Sequence, residues 1–64
     1  MIEAGMMVTP IRTDRLQHMN REFNDWMADN IGRRFYVERV NWHGSVKLAK
    51  VKFWLSQDFL EEVT

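Results

Sequence analysis

Apolar residues recur at three- and four-residue spacing from Leu16 to Ile31: Leu16, Met19, Phe23, Trp26, Met27 and Ile31. This spacing lines one face of a helix, and Gln17, His18, Arg21, Glu22, Asn24, Asp25 and Asp29 fall on the other. The pattern predicts an amphipathic helix over 14–31. Thr13 is its expected N-cap and Asp14 an anion in its first turn. Gly32 is the expected left-handed residue just past its C-terminus.

From Arg33 to Leu55 the pattern changes. Aromatic and β-branched residues alternate with charged ones and are broken once, at Gly44, which predicts a β-hairpin. A two-residue turn at His43-Gly44 would pair Val37 with Lys50 and mix the two faces. A three-residue loop, Trp42-His43-Gly44, puts glycine at the left-handed position that such loops want. It pairs Val37 with Ala49, Phe35 with Val51 and Arg33 with Phe53. One face is then Phe35, Val37, Ala49, Val51 and Phe53, with Arg39 and Lys47 at its distal end. The other carries Arg34, Tyr36, Glu38, Lys50, Lys52 and Trp54, with Val40, Val46 and Leu48 towards the tip. This register gives the cleaner core, and a slip of one residue would exchange the faces.

Two shorter signals flank these elements. Met6-Met7-Val8 reads as a short strand ended by Thr9-Pro10, because proline cannot donate to a ladder. Ser56 reads as the cap of a short C-terminal helical turn, Gln57 to Val63. The predicted fold class is α+β: one amphipathic helix packed on a β-hairpin, three-stranded if the N-terminal strand joins it, with a short C-terminal helical turn. Residues 1–64 form one small domain. Residues 1–5 are expected to be disordered and dispensable, since Met6 and Met7 are alternative starts.

Size sharpens the picture. A chain of 64 residues buries only about 60% of its unfolded surface, and small scaffolds usually need a staple. Cysteine is absent and histidine occurs only at 18 and 43, so disulfides and thiolate metal sites are excluded and a structural zinc site is disfavoured. Three tryptophans, four phenylalanines and one tyrosine supply apolar area instead. Association with a partner or a second copy is the staple that remains. The N-terminus lacks the pattern of a signal peptide, and no stretch reaches the ~20 apolar residues that cross a bilayer. A cytoplasmic setting without membrane contact is therefore expected.

Net charge is zero but unevenly placed. Residues 33–54 hold six cations (Arg33, Arg34, Arg39, Lys47, Lys50, Lys52) against Glu38 alone, so that segment carries +5 and the remainder −5. Alternation of Arg34, Tyr36, Lys50, Lys52 and Trp54 suits phosphates and stacked bases. It equally suits an acidic protein surface or plain solvent. The neighbouring apolar residues Val40, Val46 and Leu48, with Trp42 at the tip, favour a protein contact.

Chemistry beyond binding finds little support. His18 and Glu22 stand four apart, but without a ligand from a second element an acidic solvated helix face is the better reading. Asp29 opposes the helix dipole, with Arg33 or Arg34 as its expected partner. His43, in the loop, is read as incidental. Ser45 and Ser56 lack a histidine-and-acid arrangement, no glycine loop cradles a phosphate, and a small chain has little room for a substrate pocket. The expectation is a non-enzymatic regulatory or accessory protein, without cofactor, metal or small-molecule substrate, that acts by protein–protein interaction or self-association. An inhibitor of a larger partner, of the phage or mobile-element kind, is one form of it. The expected contact residues are Arg34, Tyr36, Val40, Trp42, Val46, Leu48, Lys50, Lys52 and Trp54. The alternative is a nucleic-acid binder using the basic-aromatic face of the hairpin.

Overall fold

The computed structural model describes residues 2–13 and 20–63. Within it, helix α1 spans Arg21–Asn30. Asn20 is extended, and its Oδ1 accepts the Phe23 N–H at 2.8 Å. That side-chain bond makes Asn20 the cap of α1. The expected first turns, with Leu16, His18 and Met19, lie outside the described residues. At the other end Gly32 has φ +84°, as its position just past the helix predicts. Its N–H reaches the carbonyl of Pro10, tying the helix end to the first strand.

The sheet is larger than a hairpin. Five strands, β1 Met7–Pro10, β2 Phe35–Val40, β3 Val46–Leu48, β4 Trp54–Leu55 and β5 Leu60–Glu62, lie in the order β4-β3-β2-β1-β5. Every neighbouring pair is antiparallel. One α-helix and five strands among the described residues make the fold mixed α+β.

The C-terminal segment departs from expectation. Ser56 does cap a turn, but only Gln57–Phe59 forms a 3₁₀ helix. Leu60–Glu62 then pairs with β1, Pro10 opposite Leu60 and Val8 opposite Glu62. An isolated one- or two-turn helix is marginal, whereas the open side of β1 offers hydrogen bonds at once. The Ile11 N–H donates to Phe59 O and the Val63 N–H to Met7 O, both at 2.9 Å.

Strand β2 is the pivot. Its first residues, Phe35 and Tyr36, pair with β1, and Val37 to Val40 pair with β3. Near the tip the register is the one that the three-residue loop requires, Arg39 opposite Lys47 and Val40 opposite Val46. Between Val37 and Arg39 the register shifts, and Val37 meets Leu48 rather than Ala49. An extra residue in one strand reverses the facing of everything beyond it. Val40 therefore joins Val37 on the inner side, and Val46 and Leu48 are completely buried. Arg39 is turned out to solvent. The expected assignment of the tip is thus inverted: Val46 and Leu48 belong to the core, and Arg39 and Lys47 to the outside.

A second reversal follows at once. Ala49 and Lys50 turn the chain, with Lys50 at φ +66°, so the second arm of the expected hairpin splits into β3 and β4. Lys47 lies opposite Trp54 and Val46 opposite Leu55.

Helix α1 covers the sheet, as the apolar stripe predicts. Phe23 meets Phe53 edge-on at 5.5 Å between ring centres and Phe59 at the same separation. Trp26 meets Phe35 at 5.6 Å and Phe53 at 5.9 Å. Met27 is completely buried beneath them. Residues 2–5 are placed against the sheet rather than away from it. Ile2 is buried in the core cluster, and the Gly5 N–H donates to Val37 O at 2.8 Å.

Two stability measurements check this arrangement. Leu48→Ala should cost about 2–5 kcal/mol, as for a buried leucine, in urea unfolding. A strand facing solvent at Leu48 would lose within about 0.5 kcal/mol. A chain starting at Met6 should melt at least about 4–8 °C lower, the shift for each kcal/mol lost in a domain of this size. An unchanged melting temperature would mean that Ile2 contributes nothing.

Candidate functional site

Two features of the β2–β3–β4 region remain for interaction once the core is assigned. The first is the loop Trp42-His43-Gly44 between β2 and β3. Its closure is over-determined. The Asn41 N–H donates to Ser45 O at 3.0 Å and the Gly44 N–H to Asn41 O at 2.9 Å. The Asn41 side-chain oxygen accepts the N–H of His43 at 3.0 Å and of Ser45 at 2.9 Å. Gln57 Nε2 donates to Gly44 O at 3.0 Å. Gly44 has φ +86°, the left-handed conformation that glycine adopts without strain. On this frame the Trp42 ring stacks on His43 with centres 3.6 Å apart, and Trp42 is 88% exposed.

The second feature is a row across the outer face. Arg39 on β2 is directly opposite Lys47 on β3, which is directly opposite Trp54 on β4. The Arg39 guanidinium lies over the Trp54 ring, 5.6 Å from its centre. The Lys47 side chain is only 17% exposed. Its ammonium lies 3.5 Å from a Glu38 carboxylate oxygen and donates to Leu48 O at 3.1 Å. Trp54 is 44% exposed, and Tyr36 is exposed nearer the start of β2.

The expected contact residues separate into three groups. Tyr36, Trp42 and Trp54 are large aromatic residues at the surface. Val46 and Leu48 are buried and beyond the reach of a partner, and Val40 packs half-buried against the core. The alternating strip of Arg34, Lys50 and Lys52 is not assembled. Arg34 is exposed ahead of β2, Lys50 sits in the turn after β3, and Lys52 contacts the Glu22 carboxylate of α1. Asp29 makes no ion pair with Arg33 or Arg34 among the described residues.

Sequence reasoning missed Arg39, Lys47 and Glu38 as a surface group. A signal was present: two unpaired cations on a buried face are very costly, so their placement on the core side argued for a break in the alternation between Val37 and Arg39. Asn41 and Gln57, which lock the loop, were also missed. The Asn41-to-Ser45 bonds follow an ordinary Asx pattern, while Gln57 is distant in sequence and gave no signal.

Among the described residues there is no pocket, no group of three histidine or acidic side chains placed to hold a metal, and no helix long and apolar enough to cross a membrane. No protein-family model, curated protein or solved structure matches the chain.

Gly44→Ala should loosen the tip. The added methyl would sit 3.3 Å from Gln57 Nε2 on a left-handed backbone, at a cost of about 1 kcal/mol or more. Hydrogen exchange of the Gly44 and Ser45 amides should accelerate while that of the β1–β2 amides holds. Unchanged protection at Gly44 and Ser45 would show that glycine is not required there.

Proposed function

We propose that the chain is a small non-enzymatic regulatory or accessory protein that works by protein–protein contact, with Trp42 as its anchor. One observation carries this reading: an almost fully exposed tryptophan on a loop whose backbone is fixed from both sides. An indole in water forgoes the burial that stabilises most aromatic side chains. A loop that is already ordered loses little entropy when it is covered, so the anchoring energy is retained in binding. Tryptophan at the centre of an interface is a frequent hot spot, surrounded by contacts of lesser weight. Tyr36 and Trp54, also exposed on the strands behind the loop, suit that surrounding role. Blocking or modifying a larger partner in the cytoplasm is the form of action that fits a domain this small.

The test is affinity capture on tagged wild type, Trp42→Phe and Trp42→Ala, followed by identification of the bound proteins. A specific partner should be retained by wild type, reduced with Trp42→Phe and lost with Trp42→Ala, since hot-spot truncation costs about 2 kcal/mol or more. Equal recovery by all three would reject Trp42 as the anchor.

A further inference from the structure

We propose that Arg39, Lys47 and Trp54 form a receptor for a side-chain carboxylate on an acidic segment of a partner protein. This rests on the protein-contact reading and gives that partner a chemistry, at residues separate from the Trp42 loop.

The observation behind it is a breach of an ordinary sheet rule. Like charges directly opposite one another on neighbouring strands destabilise a sheet, yet Arg39 and Lys47 are directly opposed on one face. Glu38 relieves only part of this, since its carboxylate is beside Lys47. Arg39 has no carboxylate partner among the described residues and lies over the Trp54 ring. The three ionised groups sum to +1: two cations against one anion. Rule-breaking groups without internal compensation concentrate at functional sites.

The geometry selects the anion. A guanidinium held over an indole still has N–H donors to offer, and those form a fork matched to a carboxylate. Lys47, adjacent and largely shielded from solvent, adds attraction at short range. Trp54 supplies an apolar wall for the residue next to the bound acid. A single negative charge neutralises the site. A polyanion would need a run of free cations, but Lys52 is occupied by Glu22 and the chain outside residues 33–54 carries −5, which repels it. The occupant is therefore an acidic protein segment in which Glu or Asp adjoins an apolar residue.

The experiment titrates the intact 15N-labelled chain with three probes: a blocked peptide holding one Glu beside Leu in a Gly-Ser frame, its counterpart with Gln in place of Glu, and a short thymidylate strand. The Arg39 Nε–H and Trp54 indole N–H resonances report binding, and sedimentation gives the mass. The Glu peptide should move both resonances saturably, and the Gln peptide should move neither. Arg39→Gln should weaken the Glu peptide about tenfold or more, the value of a charge-assisted bond. Arg39→Lys, which keeps charge but loses the fork, should fall between. The peptide titration reads Arg39 and Trp54 while the capture experiment reads Trp42, so failure of the Trp42 anchor and failure of this receptor are distinguished. Equal shifts with the Gln peptide would overturn the proposal. So would tighter binding of the thymidylate strand, which assigns the face to nucleic acid. A dimer that Arg39→Gln dissolves would assign it to a second copy and overturn the heterologous partner.

Discussion

The shift of register between Val37 and Arg39 is the constraint on which the rest of the molecule depends. Without it, strict alternation would turn Val40, Val46 and Leu48 to solvent and aim Arg39 and Lys47 at the helix. Neither is tolerable in a domain of 64 residues, whose whole stability is roughly 3–10 kcal/mol. Burying one unpaired cation would consume much of that. The bulge removes the conflict at the expense of one unpaired position at Glu38. Strand β2 lies between β1 and β3 and pairs with both, so a single short strand links both halves of the sheet.

The closing of the fold depends on the far end of the chain meeting the near end. Strand β5 lies on β1, and the Gln57 amide reaches both Gly44 O and, at the limit of a hydrogen bond, the N–H of Ile2. The N-terminal segment, the hairpin tip and the 3₁₀ turn thus share one side chain. A small protein without disulfides gains cooperativity from such links, because opening one part exposes the others. The aromatic cluster of Phe23, Trp26, Phe35, Phe53 and Phe59 supplies the apolar weight that the short strands lack.

What could be read from the sequence was local in character. The helix face, the left-handed Gly32 and Gly44, the three-residue loop and the Ser56 cap each rest on residues within a few positions of one another. The Asn20 cap of α1 was passed over because Thr13 is also a good cap by residue type, and propensity alone does not decide between them. The C-terminal strand was read as a helix because Phe59, Leu60 and Val63 fit a helical spacing. Their actual state depends on β1, some fifty residues away in sequence. The outer-face row was marked only indirectly, by two cations that regular alternation would bury. A bulge has weak sequence marks, and every facing beyond it inverts together.

The two surface features depart from ordinary stability rules in different ways. Trp42 is a large apolar ring left in water, and Arg39 and Lys47 are like charges set opposite one another. Each costs free energy in the isolated chain, and each would recover it when covered by a partner with the matching group. Strands β2 and β3 flank the loop and also carry Arg39 and Lys47 of the row, and the bulge fixes the outward facing of both cations. A substitution that restored regular alternation would therefore bury the cations and unfold the core before it altered any contact. On the proposed reading, stability and recognition are joined at Glu38, so this segment has less freedom to vary than its exposure alone suggests.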